Sequence, residues 1–213
     1  MVIKGVSLMH EGGNYHYRVH NQKLNNLAMD KTGLIGYLNK VLEKRPDDYF
    51  LKGPRGSALK FKLNELNMYQ IIGHEVNDLC EMGLKINKDK YRTNHLKVQS
   101  FMLENDDKTV AVEIPLWLKK DELNNFNGIF KSDEPLTGHI DILRIENDNI
   151  WVWDYKPNAF EERYADTQVF FYALMLSKRT GIPLSRFRCG YFDEKYAFIF
   201  KPELKNLIKE SLL

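Results

Sequence analysis

The chain has 213 residues, with 43% hydrophobic and 28% charged side chains, ordinary values for a globular protein that exclude disordered, collagen-like and coiled-coil chains. Its net charge of +2 gives no global basic field, so a polyanionic partner would have to be held by a local basic surface. Two cysteines, Cys80 and Cys189, are too few for a disulfide scaffold, a four-cysteine zinc site or a thiolate-held iron–sulfur cluster, and the chain reads as cytoplasmic. Residues 1–11 lack the apolar run of a secretory signal, and the longest apolar stretch, Val169–Leu176, is far below the ~20 residues that span a bilayer. Gly53-Pro-Arg-Gly56-Ser-Ala-Leu-Lys60 lacks the Gly-Lys-Ser/Thr ending that grips phosphates, so no nucleotide cofactor is expected.

In chain order, Tyr15, Tyr17 and Val19 alternate among Gly-Gly and Asn-rich turns and predict a hairpin within the first 30 residues. A helix follows over Thr32–Glu43, stopping before Pro46, and Gly53–Gly56 reads as a loop. Met68, Ile71, Ile72, Val76, Leu79 and Met82 fit a 3.6-residue period and predict a helix over Leu63–Met82, with Gly83 as its stop. Strands are expected at Leu96–Leu103, Thr109–Trp117, Thr137–Ile145 and Ile150–Tyr155, the last two joined by the turn Glu146-Asn-Asp-Asn149. A helix over Thr167–Arg179, capped by Asp166 and ended by Gly181 and Pro183, leads to a closing hairpin, Arg186–Phe192 and Tyr196–Phe200. The tail Glu203–Leu213 reads as a short amphipathic helix. The fold class is α/β (α+β), a central mixed sheet flanked by helices. An N-terminal helical and hairpin region, residues 1–62, is expected to pack on a core formed by residues 63–213.

Three features converge in the middle of the chain. Gly138-His-Ile-Asp141 lies on one strand, Asp154-Tyr-Lys156 follows across a short turn on its partner, and Gln168-x-x-x-Tyr172 opens the next helix. Two aspartates on neighbouring strands offer hard oxygen ligands to one divalent ion, Mg²⁺ or Mn²⁺. Alternate strand residues share a face, so Lys156 points the same way as Asp154 and can orient or deprotonate water beside the metal. A cleft and a nearby cation would push its pKa down. A lone Asp-x-Lys is usually a surface salt bridge, but the apolar run Ile150-Trp-Val-Trp153 carries this one inward, where charge needs a partner or a metal. On the predicted helix over Leu63–Met82, His74 falls outside the apolar stripe, and Asp78 one turn on is placed to fix its tautomer, as for a ligand histidine. Glu113, on a strand face shared with Ala111 and Pro115, is either a further acid near this centre or a solvated edge charge.

This set resembles the PD-(D/E)XK nuclease superfamily, and more narrowly the RecB-type nuclease domains and the CRISPR-adaptation nucleases related to them. The resemblance spans roughly Leu63–Phe200 and implies a restriction-endonuclease-like core and a metal-dependent DNA nuclease. It implies His74, Asp141, Asp154 and the backbone carbonyl of Tyr155 as metal ligands, Lys156 as the residue handling water, and Gln168 and Tyr172 as groups that steady the site or touch DNA. Several such nucleases carry four cysteines around an iron–sulfur cluster; with two, this chain is expected to hold none. DNA contact is expected from Lys85, Lys88, Lys90, Tyr91, Arg92 and Lys97, and from a second stretch with Lys52, Arg55, Lys60 and Lys62. Phe160–Tyr164 reads as a lip over the site. The expected activity is exonucleolytic or single-strand-preferring, on DNA strands or ends in repair, recombination or mobile-element metabolism, with a helicase or recombination protein as a separate partner chain. The rival reading is an inactive nucleic-acid-binding or assembly subunit that keeps the fold.

Overall fold

The structure is a computed structural model that describes residues 2–11, 13–124 and 126–207. It opens with the hairpin β1 (Ile3–His10) and β2 (Gly13–His20), in which Tyr17 and Val19 turn inward while His16 and Arg18 face partly to solvent. Two helices follow, α1 (Asn21–Leu27) and α2 (Thr32–Glu43), the second within the bounds its periodicity predicts.

The predicted helix over Leu63–Met82 is in fact two elements. Met68–Ile72 forms strand β3, Gly73 turns the chain at φ +71°, and helix α3 runs over Glu75–Ile86, with Gly83 inside it rather than at its end. Only glycine turns there without a Cβ penalty. The predicted strand Leu96–Leu103 is helix α4 (Asn94–Asn105), started by the Thr93 hydroxyl, which accepts from the Leu96 N–H.

The middle follows the sequence closely: β4 (Thr109–Leu118), a short helix α5 (Phe126–Phe130), β5 (Leu136–Glu146) and β6 (Asn149–Tyr155). Asn147 and Asp148 both take positive φ (47° and 64°), the conformation of a two-residue hairpin turn matched to strand twist. Helix α6 (Ala165–Thr180) ends at Gly181 in the left-handed region, and β7 (Phe187–Phe192) and β8 (Tyr196–Phe200) close the sheet. Of the predicted tail helix, Leu204–Leu207 forms one 3₁₀ turn; residues 208–213 lie outside the described residues.

The eight strands form one sheet in the order β1-β2-β4-β5-β6-β7-β8-β3. Neighbours are antiparallel except β6 and β7, whose parallel pairing requires a crossover, and α6 provides it. A large apolar cluster joins α2, α6 and the sheet, and a smaller one joins α3 and α4 to it, so helices cover both faces. Leu8, Tyr17 and Leu34 from the first 62 residues share the larger cluster with Ile140 and Phe170. Among the described residues no helix is long and apolar enough to cross a membrane.

Candidate active site

The site forms where the sheet loses its regular pleat. Ile114 and Ile140, paired across β4 and β5, point into the larger cluster, whereas Val112 and Ile142, two residues along, point into the smaller one. In a regular strand residues two apart share a face. The reversal falls at Glu113 and Asp141, and Glu113 absorbs it with φ +55°, a left-handed conformation that costs a non-glycine residue about 1–3 kcal/mol. The sequence expectation of one face shared by Ala111, Glu113 and Pro115 fails at this point. Beside it, the β5–β6 ladder ends at Ile142 and Trp153, and the Tyr155 N–H donates to the Asp141 carboxylate at 3.1 Å (Oδ2). Tyr155 therefore links the two aspartates through its backbone.

Asp154 and Lys156 form a buried pair rather than a surface one. Asp154 is 1% exposed, its Oδ2 lies 2.7 Å from Lys156 Nζ, and its Oδ1 accepts from Gln168 Nε2 at 3.0 Å. The Gln168 carbonyl accepts from Lys156 Nζ at 3.0 Å, and its amide also donates to the Tyr172 hydroxyl at 3.1 Å. Gln168 and Tyr172 are one turn apart on α6, so one helix face holds the whole group. Gly138 makes room for it: a Cβ there would stand 2.2 Å from the Tyr172 ring.

Electrostatics set this cluster apart. Burial and the nearby Asp141 charge push Asp154 up to about 6. Burial and the same aspartate push Glu113 up to about 8, even though Gln99 Nε2 donates to its Oε1 at 2.8 Å. Burial opposes the charge on Lys156, but Asp154 and Asp141 outweigh it and hold the ammonium above its ordinary value, opposite to the depression expected from sequence. Among the described residues no three His, Cys, Asp or Glu side chains are already gathered as an ion cage. What fits a divalent cation is the chemistry of the donors: burial first, and the Asp141 charge second, make Glu113 and Asp154 hold their protons, a penalty that a bound cation would offset.

The structure does not bring His74 to this centre. His74 is the N-cap of α3: its Nδ1 accepts from the Val76 N–H at 3.2 Å and its ring lies 5.4 Å from Trp153, which sits in the smaller apolar cluster. Asp78 is exposed on the first turn of α3. The histidine at the site is His95, on the first turn of α4, with Nε2 3.6 Å from Asp141 Oδ2 and its ring edge-on to Tyr155 at 5.0 Å. Gln99 was missed because Leu96–Leu103 read as a strand, and His95 stands just before that stretch; Thr93, a good N-cap residue, was the available signal for a helix start.

Lys85, in the last turn of α3, and Lys88, Lys90 and Arg92, between α3 and α4, are exposed, with Tyr91 of the same loop and Lys97 of α4 half-buried. Lys52, Lys60 and Lys62 are exposed, while the Arg55 guanidinium donates to the Tyr15 hydroxyl. Phe160 is exposed and its ring packs 5.4 Å from that of Tyr196. No curated protein matches the chain. A family model for the PD-(D/E)XK nuclease superfamily matches residues 66–209, which contain Asp141, the Asp154-x-Lys156 pair and both α6 residues on a helix-flanked mixed sheet of the restriction-endonuclease-like kind. The chain belongs to the PD-(D/E)XK nuclease superfamily.

Proposed function

We propose that this chain is a Mg²⁺- or Mn²⁺-dependent deoxyribonuclease that hydrolyses phosphodiester bonds at the Asp141–Asp154–Lys156 centre. The observation that carries the reading is the buried Asp154–Lys156–Gln168 network beside Asp141, a concentration of charge that burial would otherwise penalise. Asp141, Asp154 and the Tyr155 carbonyl would hold the metal, with His95 taking the place sequence reasoning gave to His74 and Glu113 as a further acid. A bound divalent ion supplies Lewis-acid polarisation of the phosphoryl oxygen and a more acidic water. Lys156, held as an ammonium, orients the attacking water and neutralises charge that develops on the phosphate. Gln168 fixes Lys156 relative to Asp154, and Tyr172 fixes Gln168.

Within this class we place the chain in the RecB-like branch, acting on single strands or DNA ends in repair, recombination or mobile-element metabolism beside a separate helicase or recombination protein. A histidine ligand suits Mn²⁺, so cleavage in Mn²⁺ is expected to equal or exceed that in Mg²⁺. The test is cleavage of end-labelled linear and circular single-stranded DNA with Mg²⁺, Mn²⁺ or chelator, wild type beside Lys156→Ala. Loss of the linear substrate alone, abolished by the substitution, supports an exonuclease, and cutting of the circle an endonuclease. DNA binding without cleavage under any condition would instead mark a binding subunit that keeps the fold.

A further inference from the structure

A cleft of about 350 Å³ separates the β1–β2 hairpin from the start of α4. Ser7, His16 and Arg18 form one wall, Tyr91 and Leu96 the other. Along the chain Leu96 follows His95, and Arg18 pairs with Val112, the neighbour of Glu113. The Arg18 guanidinium donates to Ser100 Oγ at 2.8 Å, which ties this wall to α4. At the rim, Lys90 Nζ lies 5.2 Å from the centre of the Tyr91 ring, and Lys88 and Arg92 are exposed on either side. Glu104 balances part of this charge, its carboxylate 3.5 Å from Lys90 Nζ and 3.9 Å from Arg18 Nη1. An aromatic face beside several cations suits a base that stacks and a phosphate that needs neutralising.

We infer that this cleft seats one unpaired nucleotide of the substrate strand beside the scissile phosphate, its base on Tyr91 and its phosphate toward Lys90 and Arg92. The inference rests on the nuclease reading and adds the element that selects single strands. The volume is near the lower bound of about 300 Å³ for small-molecule pockets, the scale of a single nucleotide. Of the cleft residues, Ser7, His16 and Arg18 lie outside residues 66–209, the part matched by the family model, while Tyr91 and the cations Lys90 and Arg92 lie within it.

The test uses the wild-type protein in chelator with oligodeoxythymidylate carrying one 5-iododeoxyuridine, either single-stranded or annealed to oligodeoxyadenylate. Irradiation is expected to crosslink Tyr91 to the single strand and not to the duplex. Tyr91→Leu and Arg18→Gln should each weaken single-strand binding, for Tyr91→Leu by about tenfold. Crosslinks outside residues 5–20 and 88–97, or equal crosslinking of duplex, would overturn the inference; the mapping needs no variant to fold. Cleavage by wild type with crosslinks elsewhere leaves the nuclease reading standing and removes this one. Crosslinking at Tyr91 without cleavage in Mg²⁺ or Mn²⁺ does the reverse.

Discussion

Gln168 commits three of its four hydrogen-bonding positions to the centre, to Lys156, Asp154 and the Tyr172 hydroxyl. Its amide is the right chemistry because it must accept from an ammonium and donate to a carboxylate at once. Gln168→Ala should therefore lower kcat by about 10–100-fold with little change in melting temperature. Gln168→Glu keeps the contact to Lys156 but faces Asp154 with like charge, and should be the less active of the two in single-turnover assays. Gly138→Ala forces a Cβ into the Tyr172 ring and should cost about 1–3 kcal/mol of stability in denaturant titrations. Glu113 and Asp154 make stability pH-dependent. Both bind their protons more tightly folded than unfolded, so the folded state holds more protons above the ordinary carboxylate range, and stability falls as pH rises. That loss proceeds through about 6 for Asp154 and about 8 for Glu113. In chelator the melting temperature should thus fall as pH is raised from 6 to 9; Glu113→Gln should flatten the upper part of the fall, and added Mn²⁺ should reverse it.

At the scale of elements, α4 does most to shape the site and was the least legible. Val98, Gln99, Ser100, Phe101, Met102 and Leu103 are all buried, because the helix is covered by α3 on one side and the sheet on the other. A helix without an exposed face has no apolar stripe, so its periodicity cannot separate it from a buried strand. The opposite error at Leu63–Met82 arose because Met68 to Met82 keep a helical spacing across two elements, and the break, Gly73, carries no hydrophobicity signal. Together these misreadings pointed to His74 and away from His95, whose Nε2 lies 3.6 Å from Asp141 Oδ2. By contrast, the β5–β6 hairpin and α6 were legible, since turn residues and a left-handed Gly181 punctuate them, and with them Asp141, Asp154, Lys156, Gln168 and Tyr172. The two histidines make the correction testable. His95→Ala should reduce Mn²⁺-supported cleavage at least tenfold. His74→Ala should leave cleavage intact while costing about 1 kcal/mol through the lost helix cap, read from thermal unfolding.

For the whole molecule, the first 62 residues complete a sheet that residues 66–209 leave with an open edge. β2 covers β4 at Arg18–Val112 and Val19–Ala111, while Leu34, Leu38 and Val41 of α2 join the cluster under α6. A chain beginning at residue 66 would expose both the β4 edge and that apolar face, and should elute as aggregate in size-exclusion chromatography where the full chain does not. Chain order has another effect. The one parallel pair in the sheet cannot form until α6 has crossed from β6 and β7 has docked. During synthesis, a chain still short of Phe187 already carries both aspartates and Lys156, but the helix bearing Gln168 and Tyr172 has no β7 to close over. The end of β6, Asp154 and Tyr155 with Lys156 after them, thus gains its backbone partner, Phe192, only late in the chain.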